Sequence, residues 1–108
     1  MCFRVRDWTV NTAKKSLKRE DGRELVLPPR LLALLEYLAV NSKTVVTRDE
    51  LVKNVWKRSF VADQAVTQAV FLLRRALRDG RSAAESFDYI QTVSKRGYRL
   101  IDEVTWTF

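Results

Sequence analysis

Two short β-forming runs, Tyr89–Val93 and Tyr98–Ile101, flank a compact turn, Ser94-Lys95-Arg96-Gly97. Two adjacent cations and a glycine at a hairpin tip make a poor catalytic device but a good finger for the groove of a polyanion. Upstream, residues 63–79 read as a helix with two unlike sides. Val66, Val70, Leu73 and Leu77 cluster on one side, with Ala69 and Ala76 beside them. The opposite side is centred on Gln64, Gln68, Phe71 and Arg75 and flanked by Thr67 and Arg78. Gln68 carries donor and acceptor together and can pair bidentately with adenine. Thr67 can bond a base or touch a thymine methyl, and Arg75 suits phosphate or guanine. Each polar residue alone reads as solvated helix surface; the face as a whole, followed by a basic hairpin, reads as a nucleic-acid contact. Lys95 and Arg96 would gain from the negative potential of a narrow A·T-rich minor groove.

Composition supports that direction and closes others. The 108 residues carry 20 Lys+Arg against 13 Asp+Glu, a net charge of +7. Between Lys53 and Arg99 ten basic residues face four acidic ones, so the surplus sits in the half that holds the helix and hairpin. Such a half suits nucleic acid or an anionic surface. Histidine is absent, which removes the commonest general base and metal ligand. Cys2 is the only cysteine, too few for a zinc finger or an internal disulfide, and fits a reducing, cytoplasmic setting. There is no glycine-rich phosphate loop and no apolar run long enough to span a bilayer. The sequence therefore predicts no enzyme, no metal and no cofactor.

The remaining residues must position the helix and hairpin. Phe3, Val5, Trp8 and Val10 alternate with polar neighbours, Leu17 follows, and Leu25-Val26-Leu27 lies beyond the turn signal Glu20-Asp21-Gly22. Residues 1–27 thus read as a small antiparallel sheet. Pro28-Pro29 opens a first helix, since proline is tolerated where the N–H would be unpaired anyway. Leu31, Leu34, Leu35, Leu38 and Ala39 form its core stripe, and Asn41-Ser42 ends it. Thr44–Val46 is a β-prone link. Thr47-Arg48-Asp49-Glu50 is a capping box for a second helix carrying Leu51, Val55 and Trp56 and stopping near Lys57-Arg58. Asp63 is placed to cap the third helix, Gly80 to follow it, and 81–85 to form a loop. The result is one domain over 1–108. Its fold class is α+β: a sheet over 1–27, a three-helix core over 28–81, and a loop, hairpin and tail over 82–108.

Strands, helix, short strand, helix, connector, helix and hairpin follow in the order of a winged helix-turn-helix. The chain resembles the OmpR/PhoB-type winged-helix DNA-binding domains of bacterial transcription regulators. The matching residues are Thr47-Arg48-Asp49-Glu50-Leu51, Val55-Trp56, Val66, Leu73-Arg74-Arg75-Ala76-Leu77, Ile90-Gln91-Thr92-Val93 and Arg96-Gly97-Tyr98-Arg99-Leu100. The match runs from about Phe3 to Val104. The runs Asn54–Ser59, Val66-Thr67-Gln68 and Ser94–Tyr98, together with a fold that starts at Met1 with no receiver domain before it, resemble the ToxR/CadC-like branch. That branch implies a cytoplasmic DNA-binding domain followed by a transmembrane helix, with a periplasmic sensor or partner.

The resemblance implies double-stranded promoter DNA as partner, with helix 63–79 in the major groove and wing 94–97 in the minor groove. It implies phosphate contacts from Trp56, Thr92 and Tyr98, Trp56 serving equally as a core plug. Arg74 stands either as a phosphate ligand or in an internal ion pair. The connector from Lys57 to Ala62, with Lys57, Arg58 and Phe60, falls where the family meets RNA polymerase, and the family often binds tandem half-sites as a head-to-tail pair. Three residues depart from the pattern. In the family Phe71 stands where a polar or basic residue is usual, Leu72 where some members place a base-contacting arginine, and Ser94 where some relatives carry a wing cation. Two readings follow for Phe71 and Leu72: apolar contact with thymine methyls in a modest DNA binder, or a protein-interaction or anionic-surface module without specific DNA readout.

Overall fold

Alternation near the N-terminus becomes a sheet with one dry face. The computed structural model describes residues 2–78 and 88–107. Strands β1 (Cys2–Val5), β2 (Trp8–Asn11), β3 (Ser16–Arg19) and β4 (Glu24–Val26) form a meander in which Phe3, Val5, Trp8, Val10 and Leu17 are buried. The helices α1 (Pro29–Val40), α2 (Arg48–Leu51) and α3 (Asp63–Leu77) follow. A hairpin of β5 (Ile90–Val93) and β6 (Gly97–Leu100) comes next, and β7 (Val104–Thr107) ends the described chain. The architecture is the α+β winged helix that the element order predicts.

Three local expectations are corrected. The tail is not a tail: β7 pairs antiparallel with β1, Val5 opposite Val104 and Phe3 opposite Trp106, giving a five-stranded sheet of order β4-β3-β2-β1-β7. The Phe3 and Trp106 rings meet at 4.8 Å between centroids, so the added strand contributes packing as well as ladder bonds. The second helix is α-helical for only four residues and continues as a π-helical turn over Val52–Trp56, after which Lys57 turns left-handed at φ 56°. This wider turn brings Val52, Val55 and Trp56 together against the core. Asp63 does not cap α3. Ala62 occupies the cap position without a side-chain bond, and Asp63 is the first helical residue, where its charge complements the helix dipole. Gly80 and the loop 81–85 lie outside the described residues.

Other expectations hold. Pro29 opens α1 at its first turn. The Thr47–Glu50 capping box is formed in both directions, Glu50 N–H donating to Thr47 Oγ1 at 3.1 Å and Thr47 N–H to Glu50 Oε1 at 3.4 Å. The Tyr37 hydroxyl of α1 donates to Glu50 Oε2 at 3.3 Å, tying the first helix to that cap. Burial, with Glu50 beside it, pushes the Tyr37 phenol above its ordinary pKa.

The core lies between the sheet and α1 and α3. Leu34, Leu35, Leu38, Val66, Leu73 and Leu77 are fully buried there. Trp8 Nε1 donates to the Leu77 carbonyl at 3.0 Å, satisfying one of the acceptors a helix end leaves open and fixing the C-terminus of α3 to the sheet. Arg19 is the buried charge of this layer. Its guanidinium stacks 5.2 Å from the Trp8 ring and makes a two-point bond to Asp21, Nε to Oδ1 at 2.9 Å and Nη2 to Oδ2 at 2.7 Å.

That bond and the Arg23 N–H hold the Asp21 carboxyl at about 2, below its ordinary 3.8. A depressed folded-state pKa stabilises the fold fully above 3.8 and loses that contribution as pH falls through about 2. Asp21→Asn is therefore expected to lower the melting temperature at pH 7. The gap from the parent protein should close between pH 4 and 2 in thermal unfolding followed by circular dichroism. A gap that stays constant over that range would contradict the assignment.

Candidate nucleic-acid interface

Helix α3 divides as its sequence predicts. Val66, Ala69, Val70, Leu73 and Leu77 face the core. Gln64, Thr67, Gln68, Phe71, Arg75 and Arg78 are all exposed on the other side. The Thr67 hydroxyl donates to the Asp63 carbonyl at 3.2 Å, so its proton is committed to the backbone while a lone pair and the methyl remain. Phe71 keeps 51% of its surface in solvent and Leu72 38%, an apolar strip on an otherwise polar face. Phe71 also borders a shallow groove floored by Ile90 and Thr92 and edged by Arg99 and Ile101. The hairpin thus forms one wall beside the helix face.

The hairpin is attached at several places, one of them the Lys43 N–H, which donates to the Leu100 carbonyl at 2.9 Å. Val46 and Tyr98 form an isolated bridge: Val46 N–H donates to the Tyr98 carbonyl at 2.7 Å and Tyr98 N–H to the Val46 carbonyl at 2.9 Å. Gly97 makes this possible. A Cβ there would lie 2.0 Å from the Val46 oxygen, and the glycine φ is +152°. The left-handed position at the tip itself belongs to Lys95, at φ 63°. Glycine is needed for close approach of two backbones, and the tip turn is closed by Arg96 N–H donating to the Val93 carbonyl at 3.0 Å.

Arg74 supplies a side-chain attachment. Its Nε and Nη2 donate to the Ile90 carbonyl at 3.2 and 2.9 Å, and Nη2 also donates to Thr92 Oγ1 at 2.5 Å. The partner is a strand carbonyl and a hydroxyl, so Arg74 acts as a strut between α3 and β5. Thr92 accepts from Arg74 and keeps its own proton available on an exposed side chain.

The other predicted residues fall as follows. Ser94, Lys95 and Arg96 are exposed at the tip, and Tyr98 is buried against the helices. Trp56 is buried with the Arg30 guanidinium 5.0 Å from its ring, in the place of a core plug at the rim of the domain. Lys57, Arg58 and Phe60 are exposed in the connector, Phe60 to 75%. Local sequence signals do not mark one residue as a contact. Arg48, part of the capping-box run, reaches the groove beside the wing tip that Thr92, Lys95, Arg96 and Tyr98 also line. No cluster of metal-binding side chains exists among the described residues, and no helix there is long and apolar enough to cross a membrane.

This geometry has relatives. Residues 22–100 match the family described as "Transcriptional regulatory protein, C terminal". The chain is 46% identical to the transcriptional activator CadC of Escherichia coli (strain K12) over 103 residues, covering 95% of this chain and 20% of that protein. It is 35% identical to the cholera toxin transcriptional activator of Vibrio cholerae over 91 residues, 82% of this chain and 30% of that one. It therefore spans a fifth to under a third of these proteins. The solved DNA-binding domain of E. coli CadC superposes with a TM-score of 0.90 at 44% identity, over 98% of this chain and 96% of that one. The Klebsiella pneumoniae RstA DNA-binding domain in complex with the RstA box superposes with a TM-score of 0.77 at 25% identity, over 93% and 96%.

If Arg74 is the strut that joins helix and wing, Arg74→Gln removes charge-assisted bonds of about 1.5–3 kcal/mol. The expected result is a lower melting temperature together with faster amide exchange confined to β5 and β6. Unchanged exchange in the hairpin would contradict the strut.

Proposed function

The chain belongs to the transcriptional regulatory protein C-terminal family, and we propose that it is the sequence-specific DNA-binding domain of a bacterial transcription activator in the CadC-like branch. The observation that carries this reading is the pairing of one exposed helix face with one cationic hairpin tip, held together by Arg74 and by the Val46–Tyr98 bridge. In this reading α3 enters the major groove. Gln64 and Gln68 meet base edges, Thr67 offers its methyl and lone pair, and Arg75 takes a phosphate or guanine. Lys95 and Arg96 enter the adjoining minor groove beside Ser94. Thr92, Tyr98 and Trp56 line the backbone between.

Phe71 gives the interface its own character. A half-exposed aromatic ring on the reading face suits contact with thymine methyls and costs less when buried than when left in water, about 25 cal/mol per Å² of apolar surface. The same exposure also favours a second reading, in which Phe71 and Leu72 dock on a neighbouring protein. The two separate cleanly, since only the first makes DNA affinity depend on Phe71.

The larger protein is read from its relatives. The domain is proposed to lie on the cytoplasmic side of a membrane-anchored parent with a periplasmic sensor or partner, to bind tandem half-sites as a head-to-tail pair, and to meet RNA polymerase through Lys57, Arg58 and Phe60. The exposed basic pair and the exposed Phe60 in the connector support the last of these.

Two expectations follow. In fluorescence anisotropy with a duplex selected by the parent protein from a random pool, affinity should fall with a slope of about 0.9 log unit per log salt for each phosphate neutralised. Removing Lys95 and Arg96 together should weaken selected and scrambled duplexes alike. Gln68→Ala should shift base preference, and Phe71→Ala should weaken the selected duplex by about 1 kcal/mol or more. Salt-independent binding would overturn the DNA reading, and undiminished affinity in Phe71→Ala would move Phe71 to the protein-docking role. Separately, alanine at Lys57, Arg58 and Phe60 should abolish promoter activation in a reporter strain while leaving expression and DNA affinity intact. Full activation would remove the polymerase contact.

A further inference from the structure

A concavity of about 180 Å³ lies between the wing tip and the start of α2. Its walls carry three cations, Arg48, Lys95 and Arg96, with the Thr92 side chain and Tyr98 between them, and no acidic residue lines it. Arg48 is the inner member. Its Nε is buried and finds no hydrogen-bond partner among the described residues. Its Nη1 lies 3.4 Å from Asp63 Oδ1, at the first residue of α3. Charge-assisted N–H···O bonds prefer about 2.7–2.9 Å, so this is a loose pairing. The Asp63 side chain is 79% exposed, which keeps the pair in a high dielectric and worth little.

The location gives that looseness a use. A duplex that takes α3 into its major groove and the wing into the next minor groove must pass the intervening sugar-phosphate strand between them. Arg48 sits between the N-terminus of α3 and the wing. Resting on the DNA-binding reading, we propose that Arg48, with Lys95, Arg96 and the Thr92 hydroxyl, binds a phosphate of that dividing strand, and that Asp63 is the internal carboxylate the phosphate displaces. In the free protein Asp63 holds Arg48 and offsets its charge. On DNA the guanidinium exchanges one oxyanion, the Asp63 carboxylate, for another, the phosphate. Asp63 then stands close to the backbone and opposes binding, so the domain carries a built-in brake on affinity. Phosphate contacts position a protein and carry no base information, so the brake acts on every sequence.

The test is a double-mutant cycle on DNA affinity, read by anisotropy across a salt series with the selected and the scrambled duplex. Arg48→Gln is expected to weaken both duplexes about tenfold and to reduce the salt slope by about 0.9. Arg48→Lys should recover the slope but not the full affinity, because a lysine offers a point charge in place of a planar fork. Asp63→Asn should tighten binding several-fold in the parent protein and by clearly less in the Arg48→Gln background. Melting temperatures of the variants report folding independently. A salt slope unchanged in a folded Arg48→Gln protein overturns the phosphate site. An equal gain from Asp63→Asn in both backgrounds overturns the exchange. Failure of the parent protein to bind either duplex would instead overturn the DNA reading itself.

Discussion

Two backbone hydrogen bonds, between Val46 and Tyr98, set the geometry on which the rest depends. They join the link ahead of α2 to strand β6 of the wing at a distance that only glycine at position 97 permits. A side chain there would push the hairpin away from the helices and with it Lys95 and Arg96. Arg74 acts on strand β5 in the same sense, joining α3 to Ile90 and Thr92. With both strands of the hairpin attached, helix face and wing tip cannot be repositioned independently. A rigid pair of probes loses little conformational freedom on binding, which suits the proposed contact with two grooves.

The sheet serves the same end from below. Trp8 reaches the last turn of α3 through its indole N–H, and the buried Arg19 stacks on Trp8 while bonded to Asp21. β7 brings the chain back to β1 and packs Trp106 on Phe3. The helix that carries the candidate reading face is thus fixed at its C-terminal end by the sheet and along one side by the wing.

Much of this was legible in the sequence because it is local. The leucine spacing of α1, the Thr47–Glu50 capping box and the two-sided pattern of α3 are each written in neighbouring residues. The features that escaped are tertiary. The alternation of Val104 and Trp106 is a strand signal, but its partner β1 lies at the other end of the chain, and no local rule supplies that register. The π-helical turn depends on seating Val52, Val55 and Trp56 together. The sequence leaves Arg74 between two roles because its partner is a strand carbonyl, a type of acceptor every residue has. Locally Arg48 is helix-start punctuation, and only the folded arrangement brings it beside Lys95 and Arg96. Aspartate before an apolar run is a common cap, whereas the chain places Ala62 there and turns the Asp63 carboxylate toward Arg48.

The central claim is that one rigid unit reads two adjacent grooves. Methylation interference on a selected duplex tests it most directly, because guanine N7 reports the major groove and adenine N3 the minor groove. The account predicts interference at N7 positions facing α3 and at N3 positions in the flanking minor groove of the same half-site. Interference confined to one groove, or at neither, would contradict it.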